Sequence, residues 1–329
     1  MMKAQTETTP LGVIDSLNAG FSTVARKPSL LLIPLLLDLF LWVGPRLSIT
    51  PIVADLAARL QKITGGTTDS SAALFEQNMS EILGSYNMFS ALSTWPLGTP
   101  SLLAGNDLEA GPLGTLVTIQ VQALDELLAW LLSLTLAGLL IGSLYLGLIA
   151  RWTGGDHIPL RTWARFTWIH WARIVALVFV VLLGTFCLSV SFFLAVEIIA
   201  RIFAPLASLL LVGGIGIAMW GLFHLFFAAH GILLEGLSVP QAIGNSVTLV
   251  RQYRFSSVGL LVVAVVISLG LGTIWHIPPT KSWMRLVAIF GNAFINTGLA
   301  AATFVFYRER TTRLETALPK AKQTPNSEH

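Results

Sequence analysis

The chain has 329 residues, 54% of them hydrophobic and 11% charged, with a mean hydropathy of +0.74 and a formal net charge of +3. Soluble domains carry about 25% charged residues, so this balance excludes a water-soluble globular protein and makes lipid the expected solvent. The single cysteine, Cys187, excludes an intramolecular disulfide and a cysteine-only metal site, and the small net charge gives no footprint for a nucleic-acid partner.

Residues 11–27 place Ile14, Leu17, Phe21 and Ala25 on one helical face and end in Arg26 and Lys27. That pattern predicts a short interfacial helix, its apolar side in the acyl boundary and its cations among headgroups. The first apolar run, 28–45, follows. It contains Pro34, is interrupted only by Asp38, and ends in Val43-Gly44-Pro45-Arg46 without a small-x-small cleavage site, so it reads as an uncleaved first span.

Residues 46–125 read as an extracytoplasmic helical loop packed on the outer membrane face. Thr50-Pro51 opens a helix carrying Ile52, Leu56, Leu60 and Ile63, and Phe75, Met79, Ile82, Leu83, Tyr86 and Phe89 form a second helical stripe. Gly65 and Gly66 separate the two, and the Gly/Pro-rich stretch 95–114 returns the chain to the membrane. Its charges are mainly acidic: Asp55, Asp69, Glu76, Glu81, Asp107, Glu109 and Asp125 against Arg46, Arg59 and Lys62.

Five further stretches, 127–150, 174–196, 202–234, 255–280 and 286–307, each run at least 22 residues without Asp, Glu, Lys or Arg. Such a run spans roughly 33 Å as a helix, enough for a hydrocarbon core of about 30 Å. Segments 160–173 and 239–254 again look amphipathic and basic. Arg161, Arg165 and Arg173 share one face of the first, and Arg251 and Arg254 close the second. Three units of interfacial helix plus hairpin result, at about 1–150, 158–235 and 237–307, either a true repeat or the common look of basic segments entering a membrane. The tail, 308–329, reads as disordered.

The expected architecture is therefore all-α, six membrane-spanning helices with short cytoplasmic interfacial helices, 126–307 holding spans two to six. Alternating the sides puts 14 Lys and Arg with both termini and six on the other side, which predicts cytoplasmic termini in a cell membrane.

Two segments suggest a family. Arg26-Lys27-Pro28 enters an apolar run with Pro34 and Asp38, and Glu235-Gly236-Leu237-Ser238-Val239-Pro240-Gln241-Ala242-Ile243 is followed by Ser246 and Arg251. Over about 11–307 the chain resembles a large group of uncharacterised bacterial polytopic proteins, which includes the membrane domain attached to some glycerophosphodiester phosphodiesterases. The resemblance implies a six-helix module with cytoplasmic elbow helices. It implies no activity, because the hydrolase domain has no counterpart here.

Polar groups inside the spans are the candidate site. A carboxylate at mid-membrane costs about 2.5–3.5 kcal/mol on insertion scales, so Asp38 must face the bundle, be protonated or find a partner. It is either a proton- or cation-handling group or a structural one. Asn292 and Asn296, four apart with Thr303 near the same face, fit interhelical hydrogen bonding. His224 and His230 are about 120° apart on one helix and form no metal pair unaided. The Gly138–Gly142 GxxxG and the Gly213, Gly214 and Gly216 cluster read as close-packing surfaces. Ser189, Ser191 and Cys187 have no neighbouring base, and no Walker, HExxH or GxSxG pattern occurs. The sequence points to a non-enzymatic integral membrane protein without cofactor, an accessory or assembly module packing with lipid or another membrane protein. The competing reading is a small transporter or channel, its polar path running past Asp38, His224, Asn292 and Asn296.

Overall fold

The computed structural model describes residues 12–63, 86–94, 97–105, 110–154 and 160–322. The chain is overwhelmingly helical. Helix α1 (Val13–Arg26) is followed by a 3-10 turn (Pro28–Leu31) and α2 (Leu32–Val43), then α3 (Thr50–Ile63) and α4 (Leu124–Gly154). Next come α5 (Leu160–Ile202), α6 (Ala204–Leu225), α7 (Ala228–Glu235), α8 (Val239–Gln252), α9 (Arg254–Trp275) and α10 (Arg285–Lys322).

Among the described residues, five helical stretches are long and apolar enough to cross a membrane: Leu124–Gly154, Thr167–Ile202, Ala204–Glu235, Arg254–Trp275 and Arg285–Leu314. The expected first span is shorter, an apolar segment Pro28–Val43 whose α-helical part has 12 residues. Twelve residues rise about 18 Å.

Two expectations need correction. Segment 160–173 is no separate interfacial helix; it forms the first turns of the 43-residue α5. No proline or glycine between Leu160 and Arg173 breaks the run. The expected span 202–234 is present as Ala204–Glu235, with a two-residue turn at Phe226 and Phe227 between α6 and α7. Ser246 of α8 holds the break: its hydroxyl donates to His224 O (2.6 Å) and accepts from Phe227 N–H (3.1 Å). The tail expected to be disordered is helical to Lys322. There Glu309 pairs with Arg313 one turn on, and the Arg310 guanidinium lies 4.7 Å from the Tyr253 ring and 5.0 Å from Phe306. Residues 323–329 lie outside the described residues.

The chain divides into two compact units. The first takes its described residues from 1–20, 149–263 and 301–329. Its core is Phe227, Leu249, Val250, Leu260, Phe306 and Tyr307, with Val13 and Leu17 of α1 against it. α8 starts on a reciprocal cap, Ser238 N–H donating to Gln241 Oε1 at 3.2 Å. Most of α5 and α6 stays uncovered: only 11% and 6% of their most apolar stretches are buried, against 56% for α10.

The second unit takes its described residues from 21–148 and 264–300. Leu37, Leu41 and Trp42 of α2 pack with Leu102, Leu103, Ala288 and Ile289. The two ends of the 46–125 loop are joined by a parallel ladder, β1 (Arg46–Ser48) on β4 (Thr118–Gln120), with Arg46 opposite Thr118. A small antiparallel pair, β2 (Ala110–Gly111) and β3 (Gly114–Thr115), precedes it. Most of the expected second loop helix, 64–85, lies outside the described residues, and the end of its stripe is a 3-10 helix, Met88–Ser93.

The loop does not rest on the end of α4 but runs down alongside it. A Cβ on Gly138 would come 2.7 Å from Ala91 O, and one on Gly142 would come 2.5 Å from Leu97 O. The GxxxG therefore admits loop backbone, not a second helix. Gly142 is 18 residues past Leu124, about 27 Å along the helix axis. Irregular backbone at such a depth needs internal hydrogen bonds, and polar side chains supply them. Asn87 Oδ1 accepts from Leu47 N–H (3.1 Å) and Phe89 N–H (3.2 Å), and Ser93 Oγ donates to Thr99 O at 2.6 Å.

Candidate functional site

Asp38 is fully buried in the second unit, and three donors take its carboxylate. Ser101 Oγ donates to Oδ1 at 2.5 Å, Leu102 N–H to Oδ2 at 3.1 Å and Leu103 N–H to Oδ1 at 3.2 Å. Ser101 Oγ in turn accepts from Leu103 N–H (3.2 Å) and Ala104 N–H (3.0 Å), so carboxylate and hydroxyl together satisfy the amides of one turn.

The opposite charge is Arg285, the first residue of α10, which interacts electrostatically with Asp38. It is 3% exposed, and its Nη1 donates to Pro278 O at 2.9 Å, His276 O at 3.2 Å and Trp275 O at 3.4 Å. Trp42, one turn past Asp38, donates its indole N–H to Thr280 O at 2.7 Å and meets Trp283 edge-on at 5.7 Å. Desolvating a carboxylate is costly, and three hydrogen bonds with a nearby guanidinium offset that cost. The arrangement clamps two loops, 101–104 and 275–280, to α2. Chemically it is an acceptor that already takes three hydrogen bonds, two on Oδ1 and one on Oδ2.

The asparagines form a separate polar chain. Ser268 Oγ of α9 donates to Asn296 Oδ1 (2.6 Å), and Asn296 Nδ2 donates to Asn292 Oδ1 (2.8 Å). It shares no residue with the bonds of Asp38. Asn292 is 5% exposed, and its Nδ2 has no partner among the described residues. Nearby in the same unit, Tyr145 O–H and Thr297 Oγ1 are 3.0 Å apart.

The histidines belong to the first unit and differ from each other. His224 is partly accessible, its Nδ1 2.8 Å from Trp220 O within its own helix. His230 is buried, with Nε2 2.8 Å from Thr303 Oγ1 and the Phe304 ring centroid 4.3 Å away. Among the described residues, no group of three or more His, Cys, Asp or Glu gathers that could hold a metal ion.

Of the cations expected at the membrane surface, Arg26, Lys27, Arg251 and Arg254 are exposed. The Arg254 guanidinium stacks 5.2 Å from the Phe255 ring. Arg173 is engaged instead, donating Nη1 to Gly236 O, where the chain turns out of α7 at φ +65°. The side chains of Arg161 and Arg165 lie outside the described residues.

Sequence reasoning does not single out Ser101, meets Ser246 only as part of the family resemblance, and gives Arg285 no role beyond one of the six basic residues on the other side. Ser101 lies 63 residues from Asp38 in a loop with no pattern of its own.

Long apolar helices, buried polar clamps and broad uncovered apolar faces define a multi-pass helical membrane protein. No family model, curated protein or solved structure matches this chain.

Proposed function

We propose that this protein is a non-enzymatic accessory or assembly module of a cell membrane, with six spans counting Pro28–Val43 and both termini cytoplasmic. In this reading α1 and α8 lie at the cytoplasmic interface with Arg26, Lys27, Arg251 and Arg254 toward anionic headgroups. The resemblance to bacterial polytopic modules with elbow helices agrees with it.

One observation carries the proposal: α5 and α6 form a hairpin that is almost unburied by the rest of the chain. Phe186 (66% exposed), Ile217 (74%) and Met219 (65%) lie on it. A transporter is expected to bury its helices around a path, whereas an accessory module presents a hairpin to lipid or to another membrane protein.

The transport reading is the weaker one, because Asp38 is fully buried and already accepts from two loop amides and a hydroxyl. The test is photo-crosslinking in native membranes from Phe186 and Ile217, paired with native mass spectrometry of the solubilised complex. A single stoichiometric partner, lost when both positions become Lys, is the expected result. Proton or cation flux in proteoliposomes of the pure chain that disappears in Asp38→Asn would replace the proposal with the transporter.

A further inference from the structure

Strand β4 and its flanks alternate. Val117, Ile119 and Val121 share one face, and Thr118 and Gln120 share the other. Such a period implies one buried face, yet the protein buries only its far end. Val121 joins the apolar cluster of Leu47, Met88 and Leu134, with Leu127 and Trp130 of α4 against it. Val117 is 73% exposed and Ile119 42%, and Leu113, in the turn between β2 and β3, is 76% exposed.

These apolar side chains sit on a fixed platform. Arg46 N–H donates to Val117 O at 2.8 Å and Val121 N–H to Ser48 O at 2.9 Å, one bond at each end of the parallel ladder. Leu116 packs against the cluster that holds Leu37, Leu41 and Trp42. A Cβ on Gly111 would come 2.6 Å from Trp42 O, so β2 lies directly on the end of α2.

That contact also fixes a level. Trp42 meets Trp283 just before α10 begins, and Trp283 is exposed. Indole rings gather at the membrane–water boundary, which puts Gly111 beside it. Three residues separate β4 from α4, whose Leu124, Leu128, Leu131 and Leu132 are exposed on a membrane-crossing helix. The uncovered face of the hairpin therefore continues a surface that already meets lipid. Residues 110–124 contain no Asp, Glu, Lys or Arg, so no charge along them has to stay in water. Edge amides of a two-stranded ladder still need polar partners, which keeps the hairpin at the headgroup–acyl boundary and out of the hydrocarbon centre.

We propose that the β2–β3 turn and β4 form a membrane wedge. Leu113, Val117 and Ile119 enter the lipid leaflet beside the start of α4, while Thr118 and Gln120 face headgroups and water. The partner is a lipid surface. The proposal is independent of the accessory-module reading, because it concerns the second unit and needs only that α4 crosses a membrane.

The test is nitroxide labelling of the full chain in phosphatidylcholine vesicles, in a Cys187→Ser background. Separate variants carry the label at Leu113→Cys, Val117→Cys or Gln120→Cys. Collisions with oxygen, which concentrates in lipid, are compared with collisions with a water-soluble nickel chelate. Leu128→Cys on α4 sets the lipid reference, and Arg59→Cys, exposed on α3, sets the water reference. The Leu113→Cys and Val117→Cys labels should favour oxygen severalfold more than the Gln120→Cys label. They should also report a depth of about 5–10 Å, that of interfacial elements. Thermal unfolding shows whether each variant folds, and Val117→Cys carries the test if Leu113→Cys disturbs the turn. Collisions dominated by nickel, as at Arg59→Cys, would place the face in water and overturn the proposal. Shielding from both reagents would show a protein covering the face and would overturn it equally.

Discussion

Two glycine-bearing helices have opposite surroundings. In α4, Gly138 and Gly142 face loop backbone so closely that a methyl group would collide with Ala91 O or Leu97 O. In α6, a Cβ on Gly213 or Gly216 would meet nothing within 4 Å, and one on Gly214 would meet only the Phe192 side chain of α5. Both clusters look alike in sequence, as small residues in an apolar run. The difference lies in what the rest of the chain brings to each helix. α4 receives a long connection, in whose described part Asn87 and Ser93 bond the backbone, whereas α6 is entered and left by short turns. Small residues in a span permit close approach without saying what approaches.

The contrast can be broken or sharpened by four substitutions, each read as a shift in the unfolding midpoint of the purified protein in detergent. Asp38→Ala should have the largest effect, about 3–5 kcal/mol, because it strands the Leu102 amide and the Ser101 hydroxyl without their acceptor and leaves buried Arg285 without the opposite charge. A loss below about 1 kcal/mol would mean that the clamp does not hold the loop. Gly138→Ala should cost about 1–3 kcal/mol, since the obstacle is backbone rather than a flexible side chain. Trp42→Phe keeps most of the packing but removes the hydrogen bond to Thr280 O, for about 1 kcal/mol. Gly213→Ala should be neutral or stabilising by up to about 1 kcal/mol, because alanine suits a helix and meets open space. A marked loss there, seen in native membranes and not in detergent, would show a partner closely packed on α6.

Most helices were legible from charge-free length and amphipathic period. Residues 13–26 and 239–252 form helices close to where the apolar stripes put them. Breaks and joins were less legible. The Phe226–Phe227 break depends on a serine 19 residues away, and nothing in the local sequence announces it. The fusion of 160–173 with the following span goes with the absence of any proline or glycine between them, whereas amphipathicity suggested a boundary. Asp38 stood out because charge is rare in such a run, yet its role lay with Ser101 and Arg285, whose distance along the chain hides them. The asparagine pair was readable from its i, i+4 spacing; Ser268, from another helix, was not.

The clamp on Asp38 also bears on how the chain enters a membrane. α2 is short and carries a carboxylate, so on its own it is a poor candidate for stable insertion. The groups that offset its charge follow it in the chain: the Ser101–Leu103 donors some 63 residues on and the charge of Arg285 only after 247 residues. Firm seating of α2 must therefore wait until α10 has been made, coupling the insertion of the first apolar segment to the last.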